Sequence, residues 1–461
     1  MPHGALIGIA AYVVAQLVLV FLVARRVRGE SDYLLADRRF GMGIATFTIF
    51  ATWFGAETCI GAAGAVYAGG LGGGTADPFG YAVCLFLMGA VFAFPLWRRG
   101  LTTLADLYRS RYSPGVERLA AILLVPTSVM WAAAQIRALG QVVSASSAFD
   151  VELAIAIAAG VVVIYTVYGG LLANGITDLI QGTMVMIGLA VVLLATVDAR
   201  GGWEPAVAGI DPARLRLFDG PPLEVLEKWA IPIMGSALAQ ELVAVILASR
   251  SPQIARRASL LGGGLYLIFG LIPVFIGLVG VTLLPGLTEP EQILPQVAQK
   301  YLSPIFYIVF VGAIVSAILS TVASALLAAA ALTEHNLIAP LKPGLSAQGK
   351  VRIARGAVVV AGVAAYLLAR HAEGVYELVK DASAFGSAGI FTVAVIGLFS
   401  NFGGVRAAYG ALLTGCGTWV AGHYVLELPL PYLTSVAAAL GTYVLFAVTE
   451  PRRSHAQGLT G

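Results

Sequence analysis

Residues 41–70 read GMGIATFTIFATWFGAETCIGAAGAVYAGG. The stretch is long enough to cross a hydrocarbon core about 30 Å thick, which takes roughly 20 mostly apolar residues as a helix. Yet glycines interrupt it at 55, 61 and 64, and Thr52, Glu57 and Thr58 fall near its middle. Irregular backbone persists at membrane depth only where it is buried in protein or lines a cavity, because freed N–H and C=O groups need partners. A helix broken at mid-membrane offers its carbonyls to a cation and its helix ends to a solute. Close packing through small residues is the bland alternative, but Gly61 and Gly64 lack the GxxxG spacing. The pattern predicts a broken span.

The rest of the chain agrees with a membrane setting. Of 461 residues, 59% are hydrophobic and 11% charged, with mean hydropathy +0.87. Soluble domains carry about 25% charged residues, so this chain cannot cover a water-facing surface in the usual way. Apolar runs of spanning length are expected near residues 4–24, 41–69, 77–97, 119–146, 151–171, 175–197, 229–249, 258–284, 303–333, 353–369, 375–399, 405–424 and 430–448. The fold class is an all-α membrane protein of about 13 transmembrane helices. Residues 4–24 read as a first span rather than a leader, because no basic segment precedes them. Cys59, Cys84 and Cys416 lie in or beside spans with no metal-ligand or disulfide spacing. No cofactor is expected, and a net charge of +3 gives no reason for a nucleic-acid partner.

Lysine and arginine set orientation. Twenty of the 28 fall in one set of loops, including Arg25, Arg26, Arg28, Arg38, Arg39, Arg98, Arg99, Arg250, Lys350, Arg452 and Arg453. Seven, among them Arg200, Arg214 and Lys300, fall in the other set. The expectation is a multi-pass cell-membrane protein with its N-terminus outside and its C-terminus cytoplasmic. The segment 198–228 is the longest outer loop, expected as a partly ordered flap.

Three groups of residues carry candidate chemistry. Ala317, Ser320, Thr321 and Ser324 share one face of a helix at spacings of three and four. Hydroxyls with a main-chain carbonyl suit a monovalent cation, but Ser and Thr also bond their own helix at i−4. Asp178 is either functional, as a carboxylate in a span usually is, or a helix N-terminal cap. Glu57, Glu241 and Arg137 are the remaining ionisable groups within spans; they could pair structurally or line a solute path.

Five segments in order, DYLLADRRFGMGIATFTIFATWFGAETCIG, LTTLADLYRSRY, GGLLANGITDLIQG, RSPQIARRA and SAILSTVASALL, resemble the sodium/solute symporter family over about residues 32–425. MWAAAQIRALG and DPFGYAV are most similar to its high-affinity choline transporter branch. The resemblance implies two inverted five-helix repeats, about 41–197 and 229–399, with flanking helices 4–24, 405–424 and 430–448 in one transporter domain. It implies sodium held by carbonyls of Ala51, Phe54 and Ala317 and hydroxyls of Ser320 and Thr321, with Asp178 as a coupling residue. Trp53, Tyr81 and Trp131 match aromatic positions around a quaternary ammonium, where cation–π attraction is worth about 2 kcal/mol when desolvated. Two further tryptophans of that cage are replaced by Ala239 and Val379, and Glu57 stands where the branch has a small residue.

The function so implied is sodium-coupled symport of a small organic solute, such as a choline-like amine, with sodium, solute and lipid as partners. Proton coupling, and uptake of an amino acid or carboxylate, stay open. A solute sensor without transport is the reading from another class, and only about a dozen residues follow the last expected span. An enzyme is not expected, since His3, His335, His371, His423 and His455 are scattered. No phosphate-binding GxxxxGK[ST] segment occurs, which argues against an ATP-driven pump.

Overall fold

The structure is a computed structural model that describes residues 2–25, 29–145, 149–372 and 374–449. Arg26, Arg28, Arg452, Arg453 and His455 lie outside these residues. Helices run throughout, and the one isolated bridge among the described residues joins Phe40 to Ser249. Among the described residues, seven helices are long and apolar enough to cross a membrane: Thr75–Arg98, Pro114–Ser144, Val151–Ala199, Pro252–Leu283, Pro304–Leu341, Ala347–His371 and Pro431–Thr449. Three more are bent pairs, Met42–Trp53 with Glu57–Gly69 (56°), Pro222–Gly235 with Gln240–Ala248 (41°) and Val375–Ala384 with Ser387–Phe399 (42°).

The first bent pair is the break expected between residues 41 and 70. Its helix stops at Trp53, and Phe54 takes ψ 73°. The Ala56 N–H, left without a helical acceptor, donates to Gln135 Oε1 at 2.9 Å. A β-carbon on Gly55 would sit 2.4 Å from Glu57 Oε2, so glycine alone admits both side chains. Sequence placed two spans at 151–171 and 175–197; the structure breaks Val151–Ala199 into two helices at Gly170, where φ is +62° and ψ 176°. The carbonyls of Thr166 and Val167 lie there, each 3.3 Å from the Tyr33 hydroxyl.

Burial sorts these helices. Every residue from Phe310 to Ala331 of the Pro304–Ala331 helix is buried. A helix apolar and buried on all faces is the core of a bundle, and this one packs on Val151–Ala199 and Pro114–Ala145. Ile164, Leu194, Ile268, Val360 and Leu445 are exposed on the outer helices, as lipid contact requires.

The arginine-rich loops gather at one end. There His335 bridges Glu30 (2.6 Å) and Asp106 (3.2 Å), while Lys350 also reaches Glu30 at 2.6 Å. Arg99 Nη2 donates to Leu398 O at 3.0 Å and Arg38 Nη2 to Leu101 O at 3.0 Å. The 198–228 segment is ordered at the other end. It carries the short helices Trp203–Ala208 and Pro212–Leu215, and Arg214 donates to Val66 O and Tyr67 O at 2.8 and 2.5 Å.

Candidate functional site

The hydroxyl face of the central helix meets the broken span at its break. Thr321 Oγ1 lies 3.1 Å from its own Ala317 carbonyl and 3.3 Å from the Ala51 carbonyl across the interface. The i−4 bond expected of a helical threonine is therefore present, and the same oxygen faces the neighbouring helix. Ser320 turns elsewhere, donating to Asp178 Oδ1 at 2.6 Å. Ser324 meets Thr52 Oγ1 and Asn174 Nδ2, each at 2.9 Å, and Asn174 also reaches Asp178 Oδ2 at 3.2 Å. Thus Ala51, Ala317, Ser320, Thr321 and Asp178 come together as a buried cluster of oxygens. Phe54 stands one turn beyond Ala51 with a non-helical ψ, which takes its carbonyl out of the helical ladder. Its ring packs on Phe50 and Tyr266.

Asp178 is no helix cap. It is fully buried, eight residues beyond the bend at Gly170, in the interior of the helix. That alternative is corrected. The bend falls earlier than the sequence suggests because Tyr33 closes over it, and so the carboxylate faces Ser320 rather than a helix end.

The aromatic candidates also converge. Trp53 and Trp131 have ring centroids 5.7 Å apart, and Tyr81 and Trp131 6.0 Å. The Tyr81 hydroxyl is fixed by Ser383 Oγ at 2.9 Å. Glu57 sits beside this group, held through Oε2 by Gln135 Nε2 at 2.5 Å. Among the described residues, the Trp53 indole N–H has no hydrogen-bond partner. A buried polar atom left unpaired costs about 1–3 kcal/mol, so a ligand that engages it gains correspondingly.

A small cavity, with room for about one water, is lined by Thr52, Trp53, Trp131, Glu241, Thr321 and Ala325. A second, equally small, shares Glu241 and continues past Ser324 to Leu34 and Ala331. Glu241 heads the short helix after the second break, so its carboxylate joins the two spaces. Thr52 and Thr321 belong both to the oxygen cluster and to the cavity wall; ion and solute positions share residues. Arg137 lies two positions beyond Gln135 and so points to the other side of its helix. Its Nη1 donates to Ala369 O at 3.1 Å, while Glu57 is engaged by Gln135.

The sequence did not mark out Gln135, Asn174, Asp77 or Tyr266. Each is polar, and each is buried. The first three stood in segments quoted for their resemblance; the available signal was a lone polar residue in an apolar run, which in lipid must find a partner.

Comparison with known proteins adds the family. The model of the sodium:solute symporter family matches residues 33–416. High-affinity choline transporter 1 of Drosophila melanogaster is 27% identical over 374 residues, 76% of this chain and 58% of that protein. The sodium/pantothenate symporter of Haemophilus influenzae is 25% identical over 425 residues, 87% and 86% of the two chains. The chain thus spans about three fifths of the choline transporters' length. Its fold is that of a Na+-coupled sialic acid symporter solved substrate-bound and outward-open, with TM-score 0.82 at 16% identity over 97% of this chain and 96% of the other. With a match over most of its length, the chain belongs to the sodium:solute symporter family.

Proposed function

We propose that this protein is a secondary active transporter of the cell membrane that couples sodium entry to uptake of a small organic solute, a choline-like amine, by alternating access. The observation that carries the reading is the meeting of Thr321 with the Ala51 carbonyl at the break of the first span. Sodium bound by Ala51, Phe54, Ala317, Ser320 and Thr321, with Asp178 beside Ser320, ties that broken span to the central helix. Because Thr52 and Thr321 also line the cavity between Trp53 and Trp131, ordering of the cluster completes the solute site. Sodium and solute then raise each other's affinity by the same factor.

Trp53, Tyr81 and Trp131 form the apolar walls for the amine, and Glu57 is its counter-charge. The architecture proposed is 13 spans. Support comes from the ten candidates, from the bend that divides Val151–Ala199 in two, and from the apolar helices Pro2–Ala24 and Val405–Val420. Inverted repeats over 41–197 and 229–399 are supported by broken pairs at the start of each. The gathering of the arginine-rich loops at one end supports a cytoplasmic face there.

Ser320→Ala combined with Thr321→Ala tests the assignment in reconstituted vesicles. Sodium-stimulated uptake of labelled choline should fall to background in the double variant while the protein stays monodisperse. Uptake that keeps its wild-type sodium dependence would sink the cluster as the coupling site.

A further inference from the structure

Glu57, Asp77, Asp178 and Glu241 are carboxylates buried among the membrane helices. Among the described residues, none of the four takes part in an ion pair. An isolated charge in such a place costs several kcal/mol, so it is met by a partner, a proton or a cation. The sodium assignment above uses Asp178, and the solute reading uses Glu57. Asp77 is used by neither.

Asp77 is the centre of its own oxygen cluster. Tyr266 OH lies 2.7 Å from Oδ1 and Thr58 Oγ1 lies 2.9 Å from Oδ2. Thr58 Oγ1 also lies 3.0 Å from Tyr266 OH and 3.5 Å from the carbonyl of Trp53. Five oxygens from three elements are thereby gathered, with two hydroxyl protons between them. Thr58 has three oxygen neighbours and one proton to give, and Tyr266 has two and one proton. Hydrogen bonds alone leave this group rich in lone pairs. A single positive ion satisfies them together.

The elements that hold the cluster are placed for that purpose by close packing. Trp53 is the last helical residue before the break, and its carbonyl belongs to the last turn, which lacks a full set of helical donors. Gly270 lies one turn beyond Tyr266, and a β-carbon there would come 2.5 Å from Pro78. Its absence lets the Pro252–Leu283 helix bring Tyr266 against Asp77. One carboxylate, two hydroxyls and a carbonyl carry a single negative charge, which a monovalent cation neutralises and a divalent ion overshoots. Hard oxygen donors select alkali and alkaline-earth ions over transition metals.

We propose that Asp77, Thr58, Tyr266 and the Trp53 carbonyl form a second sodium site, distinct from the Ser320–Thr321 cluster and on the opposite side of the broken span's first half. Its occupancy fastens the break to the Thr75–Gly80 turn and to the Pro252–Leu283 helix, so two ions grip one hinge.

The test is binding of radioactive sodium to the purified full-length protein, with no solute present. Wild type should bind about two ions per chain and Asp77→Asn about one, that remaining ion being lost on adding Ser320→Ala and Thr321→Ala. The retained ion in Asp77→Asn reports that the variant is folded. Tyr266→Phe keeps the carboxylate and should weaken one of the two sites several-fold. The proposal is overturned if monodisperse Asp77→Asn binds as many ions as wild type, or if Tyr266→Phe titrates like wild type. Loss of the ion in Asp77→Asn, with full binding kept in the Ser320 and Thr321 double variant, would uphold this site and remove the other.

Discussion

Gln135 shows how a single side chain can set the state of this hinge. Its amide oxygen takes the Ala56 N–H freed by the break, and its amide nitrogen holds Glu57. A leucine at 135 would leave both groups unpaired. Gln135→Leu should therefore reduce transport strongly, and at about 1–3 kcal/mol for each orphaned polar group it should also lower the thermal midpoint in detergent. Gly55→Ala tests the same spot sterically, since the added carbon would meet both Glu57 and Gln135. Overpacking of this kind costs about 1–3 kcal/mol. The expected result is a less stable protein with impaired uptake; a variant of wild-type midpoint and rate would contradict the geometry of the break.

At the scale of elements, the bends decide what faces what. Gly170→Ala puts a β-carbon at φ +62°, ψ 176°, a region all but confined to glycine, costing about 1–3 kcal/mol, and presses on the Tyr33 ring. A lowered thermal midpoint is expected, and Tyr33→Phe should weaken the same bend because its hydroxyl serves the carbonyls of Thr166 and Val167. The break at 54–56 was legible in the sequence because glycine and Glu57 interrupt an apolar run. Gly170 carried no such mark among the other small residues around it, and for that reason Asp178 could be read as a cap. The hydroxyl face of the central helix was legible from spacing of three and four. Its partners were not: Asn174 and Thr52 meet Ser324 only because two helices distant in sequence cross there. The Asp77 cluster depends on three such crossings, which no periodicity reveals.

For the whole molecule, the loop network at the arginine-rich end fastens the first loop to the ends of the core helices. The hydrogen bond from His335, with help from Lys350 and against the cost of burial, holds the Glu30 carboxyl at about 2, against an ordinary value of about 4.3. A depressed folded-state value contributes stability that is fully present above the unfolded value and is lost as pH falls toward the folded one. Glu30→Gln should accordingly lower the thermal midpoint at about pH 5 to 6, and the gap to wild type should close between about pH 4 and 2. A gap that widens on acidification would contradict the sign. The spans and the family were legible in composition and in five ordered segments, whereas the solute was not, because only Trp53, Tyr81 and Trp131 of the expected cage are present. The most direct test of sodium coupling is uptake of labelled choline into proteoliposomes under an inward sodium gradient, against an inward proton gradient with sodium absent. Accumulation with the sodium gradient alone is the result predicted; accumulation under the proton gradient that sodium does not alter would contradict it.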